Sequence, residues 1–297
     1  MTALSEESVL VCDVGGSHVA AAVCQGGTYR LGPVVSALYP AEQTSEAFVQ
    51  LVYTLGVKAS GGLDKVSGVE LAVPGPFDFN AGTSWMQHKL KYLYGVDLRR
   101  ALAERFGWEP GRIRFLHDSA AFLLGELGAG SARGVARAVG ITLGTGIGSA
   151  FSLEGRLVTD GAGVPAGGEI WNLPFEGGIL EDCISSRAIQ SSYERRTGLK
   201  RDVASLARAA REDSAANETF VEFGRHLGLA LKATLAEFSP DVVVLGGGIS
   251  RSAHLFLPAA QHELEGMKLQ LRVSALLDDA ALVGAGVAWF SHASVGV

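Results

Sequence analysis

Two kinds of residue in this chain could do chemistry by type and spacing: a carboxylate that closes an apolar run, and glycine turns bare enough for a ligand to touch the main chain. The stretch LVCDVGGSHVAAAVCQGG (10–27) has both, with Asp13 ending the first apolar run and Gly15, Gly16 and Ser17 making the turn. A turn of small residues presents its N–H groups as a nest that suits phosphate oxygens. Asp13, at the carboxyl end of a strand, is then placed to hold a magnesium ion through water, because Mg²⁺ prefers a carboxylate together with phosphate oxygens. VGITLGTGIGSAFSLEGRLV (139–158) supplies a second turn at Gly144, Thr145 and Gly146, and LGGGIS (245–250) a third at Gly246, Gly247 and Gly248. The third follows a buried apolar run and opens a helix, a setting for the nucleoside end of a nucleotide. Taken singly, each turn reads first as a plain hairpin. Three in this order carry more. GTGIG is not a dinucleotide fingerprint, because an extended run and a second turn follow it where that motif needs a helix.

These turns need elements to hold them. Periodicity predicts strands over 8–14, 17–24 and 28–36, a helix over 42–59, a strand over 66–73 ending at Pro74-Gly75-Pro76, a helix over 97–106, an extended stretch over 112–116 and a helix over 118–129. The pattern then comes again. From Gly15 to Gly26 is eleven positions, and so is from Gly144 to Gly155. After the second group of strands come helices over 177–196, 202–211 and 214–238, a strand over 241–247, a helix over 252–265, a strand over 269–275 and a last helix over 280–292. The helix at 214–238 sets Phe220, Phe223, Leu227, Leu231 and Phe238 on one side. A repeat of this length predicts two similar α/β domains meeting at a cleft, with the glycine turns facing each other across it. The first would be residues 1–117 plus a C-terminal helix at about 280–297, the second 118–279.

Composition narrows the classes. The chain of 297 residues is 47% hydrophobic and 19% charged, which fits a globular protein. A net charge of -6 argues against nucleic acid as the partner. No apolar run approaches a membrane span, and MTALSEES lacks the basic start of a signal peptide, so a cytoplasmic protein without membrane or nucleic-acid partners is expected. Because strand-like sequence begins at Ser8, a DNA-binding module ahead of it is not expected. Cys12, Cys24 and Cys183 are too few and too widely spaced for a disulfide framework or a zinc cluster.

The hairpins DVGGSH and GITLGTGIGS, the stretch GGEIWN and the turn LGGGIS together resemble the phosphate-1, phosphate-2, sugar and adenosine segments of the ROK family of sugar kinases, within the superfamily of actin and the hexokinases. The resemblance covers nearly the whole chain. It implies two ribonuclease-H-like α/β domains of the actin-like ATPase fold around a central cleft, and transfer of a phosphoryl group from ATP, with Mg²⁺, to a sugar hydroxyl. Such transfer needs a carboxylate to accept the hydroxyl proton. The family's Asn-Asp pair at a helix start corresponds to His117-Asp118 in RFLHDSAAFLLGE, which makes Asp118 the base. The competing reading is that Asp118 only caps the helix beginning at Ser119. Glu169 in GGEIWN and Glu181 in LEDCISSRAI match sugar-binding glutamates, against the alternative of solvated surface acids.

Two departures bear on the pocket. Where many members carry a histidine and then a run of zinc-binding cysteines, this chain has Trp171-Asn172 followed by LPFEGGI, so no structural zinc site is expected. His117 replaces an asparagine, exchanging an amide for a larger ring. It stands as either a sugar contact or a core residue satisfied by the main chain. NAGTSWMQHKLKYLYG (80–95), with His88, Lys89 and Lys91, could line the sugar side or be a solvated connection. The substrate implied is a hexose or amino sugar with glucose the first choice, and a homodimer is frequent in the family. The competing functions are a sugar-binding or sensing protein of the same fold with little turnover, and a kinase using another donor such as polyphosphate.

Overall fold

A computed structural model describes residues 7–40, 42–87 and 89–291, and His88 lies outside them. The chain divides into two compact units, one running to Ala129 and resuming at Asp279, the other Gly130–Asp278.

The first unit opens with the hairpin of β1 (Ser8–Val14) and β2 (His18–Gln25), followed by β3 (Val35–Leu38) and α1 (Ser45–Ser60). Thr44 starts α1 by accepting from the Ala47 N–H, and Gly61 ends it at a left-handed φ of 61°. Phe48, Val52 and Leu55 on its inner face are buried against the sheet. Then come β4 (Val69–Val73), the small hairpin of β5 (Phe77–Asp78) and β6 (Thr83–Ser84), α2 (Leu98–Phe106), β7 (Ile113–His117) and α3 (Asp118–Ala129). The sheet order is β3-β2-β1-β4-β7, with β1, β4 and β7 parallel.

The second unit repeats that order. β8 (Arg137–Leu143), β9 (Ile147–Leu153) and β10 (Arg156–Val158) form an antiparallel set. After the short pair β11 (Pro174–Phe175) and β12 (Gly178–Ile179) come α4 (Leu180–Cys183), α5 (Ser186–Thr197), α6 (Val203–Ala209) and α7 (Ser214–Leu235). β13 (Val242–Gly246), α8 (Ala253–Glu263) and β14 (Gln270–Val273) complete a sheet ordered β10-β9-β8-β13-β14. Phe220, Phe223, Leu227, Leu231 and Phe238 share one core, as their spacing predicts, although α7 stops at Leu235.

The chain returns to the first unit with α9 (Ala280–Phe290). Here α3 and α9 cross in main-chain contact: a Cβ at Gly125 would overlap the Ala280 carbonyl, and one at Gly284 that of Ala121. This contact places α3 with the first unit, so the boundary falls after Ala129 where the sequence reading set it at 117. Under α9, Glu70 of β4 is 4% exposed beside its register partner Arg114, whose guanidinium stacks on Trp289. Burial pushes the Glu70 carboxyl up to about 8, against the pull of Arg114 and Arg99.

Two elements differ from expectation. The third strand occupies 35–38 instead of 28–36, because the chain turns at 26–28 and Tyr29 takes a left-handed φ of 54°. The helix expected over 177–196 is two, broken at Ile184, with the Ser185 hydroxyl capping the second through the Ala188 N–H.

Candidate active site

In the first unit the parallel strands β1, β4 and β7 end on one edge. Asp13 pairs with Ala72, and Ala72 with Leu116, so Asp13 and Leu116 stand two strand spacings apart, about 10 Å. Turn 15–17, the turn Pro74-Gly75-Pro76 and the His117-Asp118 pair all follow from that edge. The structure thus brings Asp13, Gly15, Gly16, Ser17, His117 and Asp118 to one edge of the first unit's sheet.

The Gly15 N–H donates to the His18 carbonyl at 3.0 Å, closing the turn. Gly16 has a φ open to any residue, and a Cβ there would meet nothing within 4 Å. Neither conformation nor internal packing requires glycine at 16. Asp13 is half-buried, and its charge adds to burial in pushing the Cys12 thiol up to about 12.

Asp118 is the first residue of α3, and its side chain is 41% exposed. Its Oδ1 accepts from the Ser119 N–H at 2.7 Å and lies 3.2 Å from His117 Nδ1. A cap would reach the N–H two or three residues on, so the adjacent bond orients the carboxylate more than it caps the helix. His117 is no sealed core residue. Its side chain is 26% exposed, its Nδ1 is 2.6 Å from Ser119 Oγ, and its ring meets Phe79 edge-on. The Ser119 N–H also donates to Nδ1, which in the neutral ring puts the proton on Nε2.

In the second unit β8 and β13 are neighbouring parallel strands, with Gly246 in register with Thr142, so turns 144–146 and 246–248 emerge side by side at carboxyl ends, where α/β sheets bind ligands. Gly247 makes this approach possible: at φ 78° its missing Cβ would overlap the Leu143 carbonyl. At Gly144 the nearest atom to a Cβ would be 3.9 Å away, and at Gly248 there is nothing within 4 Å. Thr145 is exposed. Gly146 has a different reason. A Cβ there would overlap the carboxylate of Glu181, whose Oε2 accepts from the Ile147 N–H at 3.0 Å.

Glu169 follows a short 3-10 turn that Ser149 of β9 ties down, its hydroxyl donating to Gly168 and accepting from Ile170. The Trp171 indole N–H donates to Glu169 Oε2 at 2.8 Å, and Asn172 is exposed beside it. Sequence reasoning missed Ser149 and the bond from Glu181 to its own hairpin, since both join residues about twenty or more positions apart.

A family model described as the ROK family matches residues 9–292. The chain belongs to the ROK family. Among its relatives, a glucokinase of Thermotoga maritima is 28% identical over 250 residues, spanning 73% of this chain and 77% of that protein. The crystal structure of a ROK hexokinase from Thermus thermophilus matches with a TM-score of 0.78 at 27% identity, covering 94% of this chain and 97% of that one. A ROK family glucokinase from Streptomyces griseus, solved with glucose and AMPPNP, matches with a TM-score of 0.77 at 23% identity over 94% of this chain and 97% of its own, a likeness of fold. The mixed α/β architecture with its two sheets is therefore that of the ROK kinases.

Proposed function

We propose that this ROK-family chain transfers a phosphoryl group from MgATP to a hydroxyl of a sugar, a hexose or amino sugar with glucose the first choice, with Asp118 as general base. The observation that carries the reading is the set Gly16, Gly144 and Gly248, one in each turn, where neither φ nor packing calls for glycine. Bare main chain at three turns suits a polyphosphate and its nucleoside.

Gly15, Gly16 and Ser17 of the first unit and Gly144, Thr145 and Gly146 of the second are the phosphate contacts, and Gly246, Gly247 and Gly248 take the nucleoside end. Asp13 suits Mg²⁺ as a half-buried carboxylate at a strand end. No three His, Cys, Asp or Glu gather as a metal site among the described residues, so one carboxylate with phosphate oxygens and water is the arrangement in view. When bound, the ion supplies neutralisation of the charge developing on the transferred group.

Asp118 has both protein contacts on Oδ1, which leaves Oδ2 to accept the hydroxyl proton as the oxygen attacks. The Ser119 N–H fixes Oδ1 and so limits rotation of the carboxylate. Glu169 and Glu181 each have one oxygen engaged by protein, at Trp171 and Ile147, and a second oxygen for a sugar hydroxyl. Asn172 adds an exposed amide. The unpaired Cys12, Cys24 and Cys183 suit a reducing cytoplasm, and no described helix is long and apolar enough to cross a membrane.

A coupled assay of ADP release, with MgATP against hexoses, N-acetylhexosamines and ketoses, tests this. We expect sugar-dependent turnover that Asp118→Asn lowers at least about 10²-fold without loss of fold. Near-normal turnover in a folded mutant removes Asp118 from the role, and silence across the panel with sugar binding intact favours a binding protein.

A further inference from the structure

Turn 15–17 is held from behind by one residue that plays no part in the scheme above. Tyr39, just beyond β3, reaches it twice. Its main-chain N–H donates to the Ser17 carbonyl at 3.3 Å, and its hydroxyl donates to the Gly15 carbonyl at 2.5 Å. Both carbonyls are therefore drawn toward the same residue. In a trans peptide the C=O and the following N–H point in opposite directions. Fixing the Gly15 carbonyl on Tyr39 turns the Gly16 N–H away from it, at an exposed residue where even a Cβ would meet nothing within 4 Å. The tyrosine is itself well placed to hold a direction: its ring packs near Phe48 of α1, centroids 6.3 Å apart. Burial, then Tyr92 and Asp13, push its hydroxyl above the ordinary range, so it remains a donor throughout the pH range of an assay.

We propose that Tyr39 is a positioning residue for the first phosphate turn, its hydroxyl holding the Gly15 carbonyl so that the Gly16 N–H is aimed at a nucleotide phosphate oxygen. The inference rests on the nucleotide-binding part of the function proposed above. It adds a residue outside the glycine turns that sets the direction of a donor within one. Tyr92 provides an internal control. Its hydroxyl is buried near Tyr39 and has no hydrogen-bond partner among the described residues, so removing it deletes the same chemical group without touching the turn.

The experiment is calorimetric titration of MgAMPPNP into the wild type, Tyr39→Phe and Tyr92→Phe, with MgATP kinetics run beside it. We expect Tyr39→Phe to weaken binding about tenfold, the scale of one lost hydrogen bond, and to raise KM for MgATP by a similar factor with kcat changed less. Tyr92→Phe should match the wild type. Binding by Tyr39→Phe as tight as wild type overturns the inference and leaves the kinase reading standing, and so does an equal loss in Tyr92→Phe. A wild type that binds no MgAMPPNP overturns the kinase reading and the inference together. Hydrogen exchange on the wild type gives a test that needs no variant: MgAMPPNP should slow the Gly16 amide, and unchanged exchange there rejects the proposal.

Discussion

The two hairpin turns sit at the same place in two sheets of the same strand order and are secured by different means. The first has four residues, Gly15 to His18, between the paired positions Val14 and Val19; the second has three, Gly144 to Gly146, between Leu143 and Ile147. The first is held by a neutral tyrosine hydroxyl, the second by the Glu181 carboxylate on the Ile147 N–H and by the Ser186 N–H on the Gly144 carbonyl. Counting back from Val14 and Leu143, Asp13 answers to Thr142, and through the register Glu70 answers to Val244. The scaffold repeats and the charges do not. An acid stands at the strand end in the first unit and behind the turn in the second, so the two turns carry different electrostatics.

The sharpest way to break this comparison is Glu70→Gln, which removes a charge site that Val244 lacks. The free carboxyl ionises near 4.5 and the folded one near 8. Below pH 4.5 both states are protonated and nothing is lost. Between 4.5 and 8 the unfolded chain gives up its proton first, so the fold loses stability, and above 8 the loss is complete. The glutamine variant should therefore be more stable than wild type by up to about 5 kcal/mol at pH 9 and about equal at pH 4. The same gap at both pH values would show that Glu70 does not titrate in this way. Next is Gly146→Ala. Its Cβ would displace the Glu181 carboxylate from the Ile147 N–H, which should cost about 1 kcal/mol of unfolding free energy in a denaturant titration. A loss under about 0.5 kcal/mol would mean that Glu181 does not secure the turn. The smallest effect on stability is that of Gly16→Ala, whose Cβ enters open space. Unfolding should be unchanged within about 0.5 kcal/mol, while MgAMPPNP binds about tenfold more weakly, or about 1.4 kcal/mol. Equal stability losses at Gly16 and Gly146 would erase the distinction between the turns.

Asp13, the three glycine turns and the order of strands and helices were legible in the sequence because apolar period and glycine punctuation are local signals. Tyr39 and Glu181 were not legible as supports. Their bonds close across 24 and 34 positions, and no spacing rule connects them to a turn. The third strand slid because Tyr29 adopts a backbone conformation its residue type seldom takes. The break at Ile184 hid behind a helical pattern that continues on both sides of it. The boundary of the first unit was misplaced for a tertiary reason, the crossing of α3 with α9 through Gly125 and Gly284, whose glycines look ordinary inside two apolar helices.

The division of the first unit between Ala129 and Asp279 has a consequence for synthesis. As the chain leaves the ribosome, the strands carrying Val11, Cys24 and Glu70 are made early, while α9, which covers them, comes after the whole of 130–278. At ordinary translation speed that gap is on the order of 10 s, far longer than a domain of this size needs to collapse. The later-made unit can complete itself while the earlier-made one still waits with an apolar face open to chaperones, so the half that opens the sequence is the last to be finished.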